Sequence, residues 1–308
     1  MRIEPLNQQL LRPDLLSPES QTQRVSRQRS DVPSIPDHRK LNNLIAQHAG
    51  TVAVVVRTLA GDTLFDLHGE RSFPAASTIK VPILTYALQQ AESGHLDLEQ
   101  RVEMQAGDRV TGSGILRDLD RGLMLTIRDL LTLMIVVSDN TATNMVIELL
   151  GVENINSYLG HLKLSQTNLY GPLQISAESS GTTQNSTLRN ETSAQDMAAL
   201  LTQLASGSLL SPIWTDMALS ILSRQHYTDL LGRHIPRDEQ GEFVYRVASK
   251  SGALMGVRHD VGIIWTPQPL VMAFLSEGGL DRRYHPDNHE VQLLAHLAQA
   301  LMQQYGGL

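Results

Sequence analysis

Residues 244–275 read VYRVASKSGALMGVRHDVGIIWTPQPLVMAFL. Three apolar, β-branched runs stand out, Val244–Ser249, Val261–Trp265 and Leu270–Leu275, parted by Gly252, Gly256 and a Pro267/Pro269 turn. Such runs punctuated by turn residues predict three strands. Two more are predicted near the other end, Thr51–Arg57 (TVAVVVR) and Leu64–Leu67, joined as a hairpin across Leu59-Ala-Gly-Asp-Thr63. Between these groups the apolar period becomes helical, from Thr78 to about Gly94 and over Ile127–Val137, Ala142–Leu150, Ile155–Leu162 and Ala194–Leu204. Leu41, Leu44 and Ile45 mark a helix before the first strand, and about His289–Tyr305 a last one. Two early and three late strands bracketing helices imply an α/β protein of α+β type. Its antiparallel sheet of about five strands is flanked by terminal helices and carries an inserted all-α domain. The expected boundaries are 39–74 plus 213–308 for the α/β domain and 75–212 for the all-α domain. Residues 1–38 hold five of the 13 prolines without a sustained apolar period and read as a mobile extension.

The chain has 308 residues, enough for a large buried core, and its 41% apolar and 19% charged residues suit an ordinary globular protein. No cysteine is present, so disulfides and thiol chemistry are excluded and a nucleophile must be an oxygen or an amine. A net charge of −7 without a Lys/Arg block argues against a nucleic-acid partner. No stretch reaches the ~18 apolar residues of a membrane span. The start MRIEPLNQQLLRPDLL lacks the apolar core of a secretory leader. A protein beginning at Met1 is therefore expected in the cytoplasm, and one with a trimmed N-terminus outside it. Oligomeric state is not legible. Of the 25 basic residues 21 are Arg, leaving Lys40, Lys80, Lys163 and Lys250. An arginine stays protonated, whereas a desolvated lysine can act as a base.

Two of those four lysines sit in chemical motifs. In Phe73-Pro-Ala-Ala-Ser77-Thr-Ile-Lys80 a serine opens a predicted helix and a lysine follows at i+3, on the same face. The lysine amine can activate the serine hydroxyl, and free N–H groups at the helix start can hold an oxyanion. Alone, the pair is also what an N-cap and a surface lysine look like. Its company changes the reading: Ser138-Asp139-Asn140 interrupts an apolar helix, and Lys250-Ser251-Gly252-Ala253 ends a predicted strand.

S-x-x-K, S-D-N and K-[ST]-G in this order resemble the motif set of the class A β-lactamases and penicillin-binding proteins. The resemblance runs across about residues 40–308, with K-S-G in place of K-T-G. It implies an acyl-enzyme serine hydrolase without a cofactor, acting on a small amide or ester such as a β-lactam. Ser77 would be the acylated nucleophile, Lys80 its hydrogen-bonded base or relay, and Ser138 the proton shuttle to the leaving nitrogen. Asn140 would hold the acyl-amide of a substrate, while Lys250 and Ser251 would bind its carboxylate. The backbone N–H groups of Ser77 and Ala253 would form the oxyanion hole, with Gly252 letting the strand approach the ligand.

One element of the pattern is missing. The deacylating Glu of class A enzymes, in E-x-x-x-N, has no counterpart: alignment through Thr167–Tyr170 puts Leu173 or Gln174 in its place. Gln174 can orient a water but cannot deprotonate it. Glu178 is the nearest carboxylate in the Ser/Gly/Thr-rich loop 176–190, and Glu191 reads as a favourable charge before the helix at Ala194. The alternative function is therefore a penicillin-binding or sensor-type module, or a non-lactam hydrolase, with slow or absent β-lactam turnover. G-x-S-x-G, a Gly-Lys pair and H-E-x-x-H are all absent. His285 and His289 are a poor zinc pair beside Pro286, so no metal is expected; His259-Asp260 reads as the start of a strand, with acid/base assistance the alternative.

Overall fold

The alternation of small hydrophobic strands with amphipathic helices produces two layers of helix around one sheet. The protein is described from a computed structural model over residues 38–174 and 189–308, all within the compact unit Asp37–Leu308. The extension expected over 1–38, apart from its last residue, and Glu178 lie outside the described residues.

In chain order the elements are α1 (His38–Ala46), β1 (Thr51–Thr58), β2 (Thr63–Leu67), β3 (Phe73–Pro74), a 3-10 turn (Ala76–Ile79) and α2 (Lys80–Glu92). Then come β4 (Arg101–Glu103), β5 (Met124–Thr126), α3 (Ile127–Val136), α4 (Asn140–Leu150), α5 (Val152–His161), β6 (Glu191–Thr192), α6 (Ala194–Ala205) and α7 (Pro212–Ser223). β7 (Val247–Leu254), β8 (Val257–Ile264), β9 (Leu270–Glu277) and α8 (His289–Tyr305) close the chain. The main sheet has the order β2-β1-β9-β8-β7 and is antiparallel throughout, so the chain's two ends build it together and β7 is an edge. β3 pairs with β6, and β4 with β5, as short two-stranded ribbons.

Both faces of the sheet are covered, which is why β1 carries a continuous buried apolar run, Val52–Val56, rather than an alternating one. On one face Ala53, Val55, Ala248, Val261 and Ala273 join the buried residues of α2 to α7, Met134, Met145 and Met197 among them as core filling. On the other, Val54, Val56, Met272 and Phe274 pack with Leu294, Leu297 and Leu301 of α8.

Several elements differ from the sequence expectation: β8 begins at Val257 rather than Val261, the short strands β3 to β6 were not anticipated, and three further differences have a local reason. β7 does not end at Ser249; it continues through the ladder pairs Lys250↔Val261, Ser251↔Asp260 and Gly252↔His259. The K-S-G residues resemble a turn because they line a polar cleft, not because the strand stops. The α-helix begins at Lys80, not Thr78, and Ser77 lies in the 3-10 turn before it. An α-register from Thr78 would need an N–H at Pro82 for the Thr78 carbonyl, which proline lacks, so Pro82 is accommodated only in the first turn. α7 was not anticipated: Ser211-Pro212 starts it, but Ile213, Trp214, Met217, Leu219, Ile221 and Leu222 surround its axis and blur the period.

Candidate active site

Three segments meet where α2, α3–α4 and β7 converge. Gly252 brings the third to the first: a Cβ there would stand 3.2 Å from Ser77 N and from the Ala76 methyl. Ser77 is half-buried, while Lys80 and Lys250 are both completely buried. Burying an ammonium is costly unless it is bonded or gives up its proton.

Lys80 Nζ donates to the Ser138 carbonyl at 2.7 Å, to Ser138 Oγ at 3.1 Å and to Asn140 Oδ1 at 2.8 Å. Its bonds thus run to the facing S-D-N turn and not to Ser77, the partner that the sequence resemblance implied. Burial, then the like charge of Lys250, holds the Lys80 amine well below the ordinary lysine range, against an opposing pull from Asp139. Lys250 Nζ donates to the Ser251 carbonyl at 2.8 Å. Burial brings its pKa down to about 7, with attraction to Asp260 working the other way.

The S-D-N turn is itself held from behind. Asp139, in its middle, caps α4 by accepting from Ala142 N–H at 2.9 Å and takes Ile115 and Leu116 N–H at 2.7 and 2.9 Å. Asn140 N–H donates to Ser113 O at 3.0 Å, and Asn140 Nδ2 to Thr111 O at 3.1 Å, which leaves one amide hydrogen uncommitted among the described residues. The loop Thr111-Gly-Ser-Gly-Ile115 is therefore stapled to the site, a feature the sequence reading passed over. Its glycines were the available signal: a Cβ on Gly114 would stand 2.3 Å from the Asp139 carboxylate, and one on Gly112 2.4 Å from Asn140 Nδ2. Left-handed backbone recurs here at non-glycine residues, with Ala76 at φ +47°, Ser138 at +55° and Gln174 at +57°. Such strain clusters at functional sites.

Gln174 enters from the loop after α5. Leu173 N–H donates to Asn144 Oδ1 at 2.7 Å, and Asn144 Nδ2 returns a bond to Leu173 O at 2.9 Å. That clamp leaves Gln174 beside Gly112 and Asn140, its Cγ 3.5 Å from where a Gly112 Cβ would be. Glu191 does not act as a first-turn charge: it lies in β6 opposite Pro74, with Tyr170 donating to its carboxylate at 3.3 Å. Ser193 caps α6 instead, accepting from Asp196 N–H. His259 is interior to β8 and spent structurally. Its Nδ1 accepts from Ser276 N–H at 3.1 Å and its Nε2 faces Pro74 O at 2.7 Å, and burial lowers its pKa to about 4. It anchors the chain entering the Ser77 turn. Among the described residues no cluster of His, Asp or Glu has metal-binding geometry, and no helix is long and apolar enough to cross a membrane.

Comparison with known proteins identifies the family and the fold. β-Lactamase OXY-2 of Klebsiella oxytoca is 32% identical over 115 residues, 37% of this chain and 39% of that protein. A β-lactamase structure from Sphaerobacter thermophilus superposes with a TM-score of 0.77 at 31% identity, covering 88% of this chain and 99% of that one. A variant of PBP-A, solved as its acyl-enzyme with penicillin G, superposes at 0.75 and 26% identity over 90% of this chain and 99% of its own. The β-lactamase enzyme family matches residues 38–305, and the chain belongs to that family.

Proposed function

We propose that the protein is a serine hydrolase that β-lactams acylate on Ser77 and that releases the acyl group slowly. The observation carrying this reading is the Lys80–Ser138 contact, a buried amine of depressed basicity bonded to a second serine hydroxyl at 3.1 Å. In the proposed sequence Lys80 acts in its unprotonated form, its two remaining hydrogens kept on the Ser138 backbone and Asn140 side-chain carbonyl oxygens, and takes the Ser77 hydroxyl proton as Oγ bonds to the lactam carbonyl carbon. The carbonyl electron pair moves to oxygen, held by the N–H groups of Ser77 and Ala253. On collapse the C–N bond breaks, the nitrogen takes the Ser138 hydroxyl proton, and Lys80 returns its proton to Ser138. Lys250 and Ser251 bind the substrate carboxylate, and Asn140 offers its remaining amide hydrogen to the acyl side chain. The names of the relatives, and the penicillin G adduct of the PBP-A variant, support this substrate class.

Hydrolysis of the ester needs a base for water. The loop residues clamped beside Asn140 are Leu173 and Gln174, neither of which is one, and this favours slow release. The test mixes the protein with a chromogenic cephalosporin and follows colour and intact mass. A stoichiometric burst with a lasting adduct, lost in Ser77→Ala, is expected. Sustained turnover overturns slow release, and no adduct overturns the substrate class.

A further inference from the structure

Gln225, just beyond the end of α7, is 6% exposed and sits between the two walls of the cleft. Its neighbours assign its amide orientation. Nε2 donates to Ile135 O and Val136 O at 3.2 Å each, and Oε1 accepts from Lys250 Nζ at 3.2 Å and from Ser251 N–H at 2.9 Å. Turned the other way, the oxygen would face two carbonyls and the nitrogen an amine and an N–H, with only two long bonds in return, Tyr227 N–H to Oε1 at 3.5 Å and Nε2 to Ser251 Oγ at 3.4 Å. The next residue adds a parallel tie, His226 N–H to Val136 O at 3.0 Å.

We infer that Gln225 is a positioning residue: its one amide holds the Lys250 amine in the cleft and fixes the spacing between the end of α3, where Ser138 follows, and β7. A purely structural staple would need only the two backbone ends. Here the same oxygen that binds the β7 backbone also takes the amine, so the spacing of the walls and the aim of Lys250 are set together. The charged groups acting on the Lys250 amine are Asp260 from β8 and Lys80 from α2. The 3-10 turn against β7 carries none, and Asp216 of α7 lines a surface groove with Arg128 and Arg224 instead.

The inference takes its importance for substrate binding from the proposed function, but its test needs no substrate. With only four lysines in the chain, selectively labelled lysine gives a few NMR side-chain resonances, and Lys250→Met assigns the one required. Gln225→Glu places a carboxylate on the amine and is expected to raise the Lys250 midpoint by at least ~1 pH unit. Gln225→Met removes the acceptor and is expected to lower it. Should the Glu variant fail to fold, the Met variant decides by the same signal, since Val136 O keeps His226 N–H as a partner. A midpoint unmoved in the variant that folds overturns the inference. A shifted midpoint in a protein that no β-lactam acylates leaves the positioning role standing and removes the proposed substrate.

Discussion

Lys80 and Ser138, 58 residues apart in sequence, share two hydrogen bonds from one amine, to the serine's carbonyl and to its hydroxyl. The amine carried by α2 is thereby referenced to the far wall of the cleft. Lys80→Ala removes both the proton acceptor for Ser77 and the proton source for Ser138. Acylation by a chromogenic cephalosporin should slow by about 10²–10⁴-fold, measured as burst rate by stopped flow. A burst within a few-fold of the parent protein would remove Lys80 from the chemistry.

Stability should climb with alkaline pH. In the unfolded chain Lys250 titrates near 10.5 and in the folded protein at about 7, so between those values the unfolded state holds the extra proton. Each such lysine adds about 1.4 kcal/mol of stability per pH unit as pH rises through that window. Below it both states are protonated and the penalty of the buried charge is fully present. Lys80, lowered for the same reason, acts in the same direction. Above pH 10 the raised Tyr158 hydroxyl, buried against Thr85, turns the trend down. Urea unfolding across the window should show the slope, and Lys250→Met should reduce it.

Gly114 has φ +110° and no room for a side chain beside Asp139. Gly114→Ala should cost about 1–3 kcal/mol from backbone strain, with more from displacing the Ile115 and Leu116 N–H groups off the carboxylate. The urea midpoint should fall and the acylation rate with it, because the same loop carries the carbonyls that hold Asn140. Unchanged acylation in a destabilised variant would separate the loop from the site.

Gln174→Glu puts a carboxylate where the clamped loop meets Asn140. If slow release comes from a missing base, this variant should turn a single burst into measurable steady hydrolysis, read from colour release after the burst and from decay of the adduct mass. A persistent adduct would mean that Gln174 is not the place from which water can be activated.

The sheet and most helices were legible because their apolar periods are strong: α8 runs over His289–Tyr305 as expected, and β9 starts at Leu270. The motifs were legible as residue types in order. What escaped were features whose signal is a relationship rather than a pattern. Gln225 is one glutamine in a polar stretch until folding sets it between Val136 and Lys250. Asp139 looks like the middle letter of a motif until its carboxylate is seen gathering three N–H groups. Lys250 in the strand interior defeated a composition rule, since a Lys-Ser-Gly run is common in turns and unusual in a buried ladder. Pro82, which moved the start of α2, was visible throughout, but its effect depends on which carbonyl it would have faced.

The left-handed backbone at Ala76 and Ser138 gives the cleft a mechanical character that the hydrogen bonds alone do not. Each residue flanks or forms part of the reactive machinery, and each would relax if replaced by glycine, which adopts that conformation freely. Selection for hardiness alone would therefore erode these two places first, Ser138 at the direct loss of its hydroxyl. A lineage that keeps both residues while free to exchange them is under pressure to retain a working cleft, so their fate among natural variants reads out whether chemistry or mere folding is being preserved.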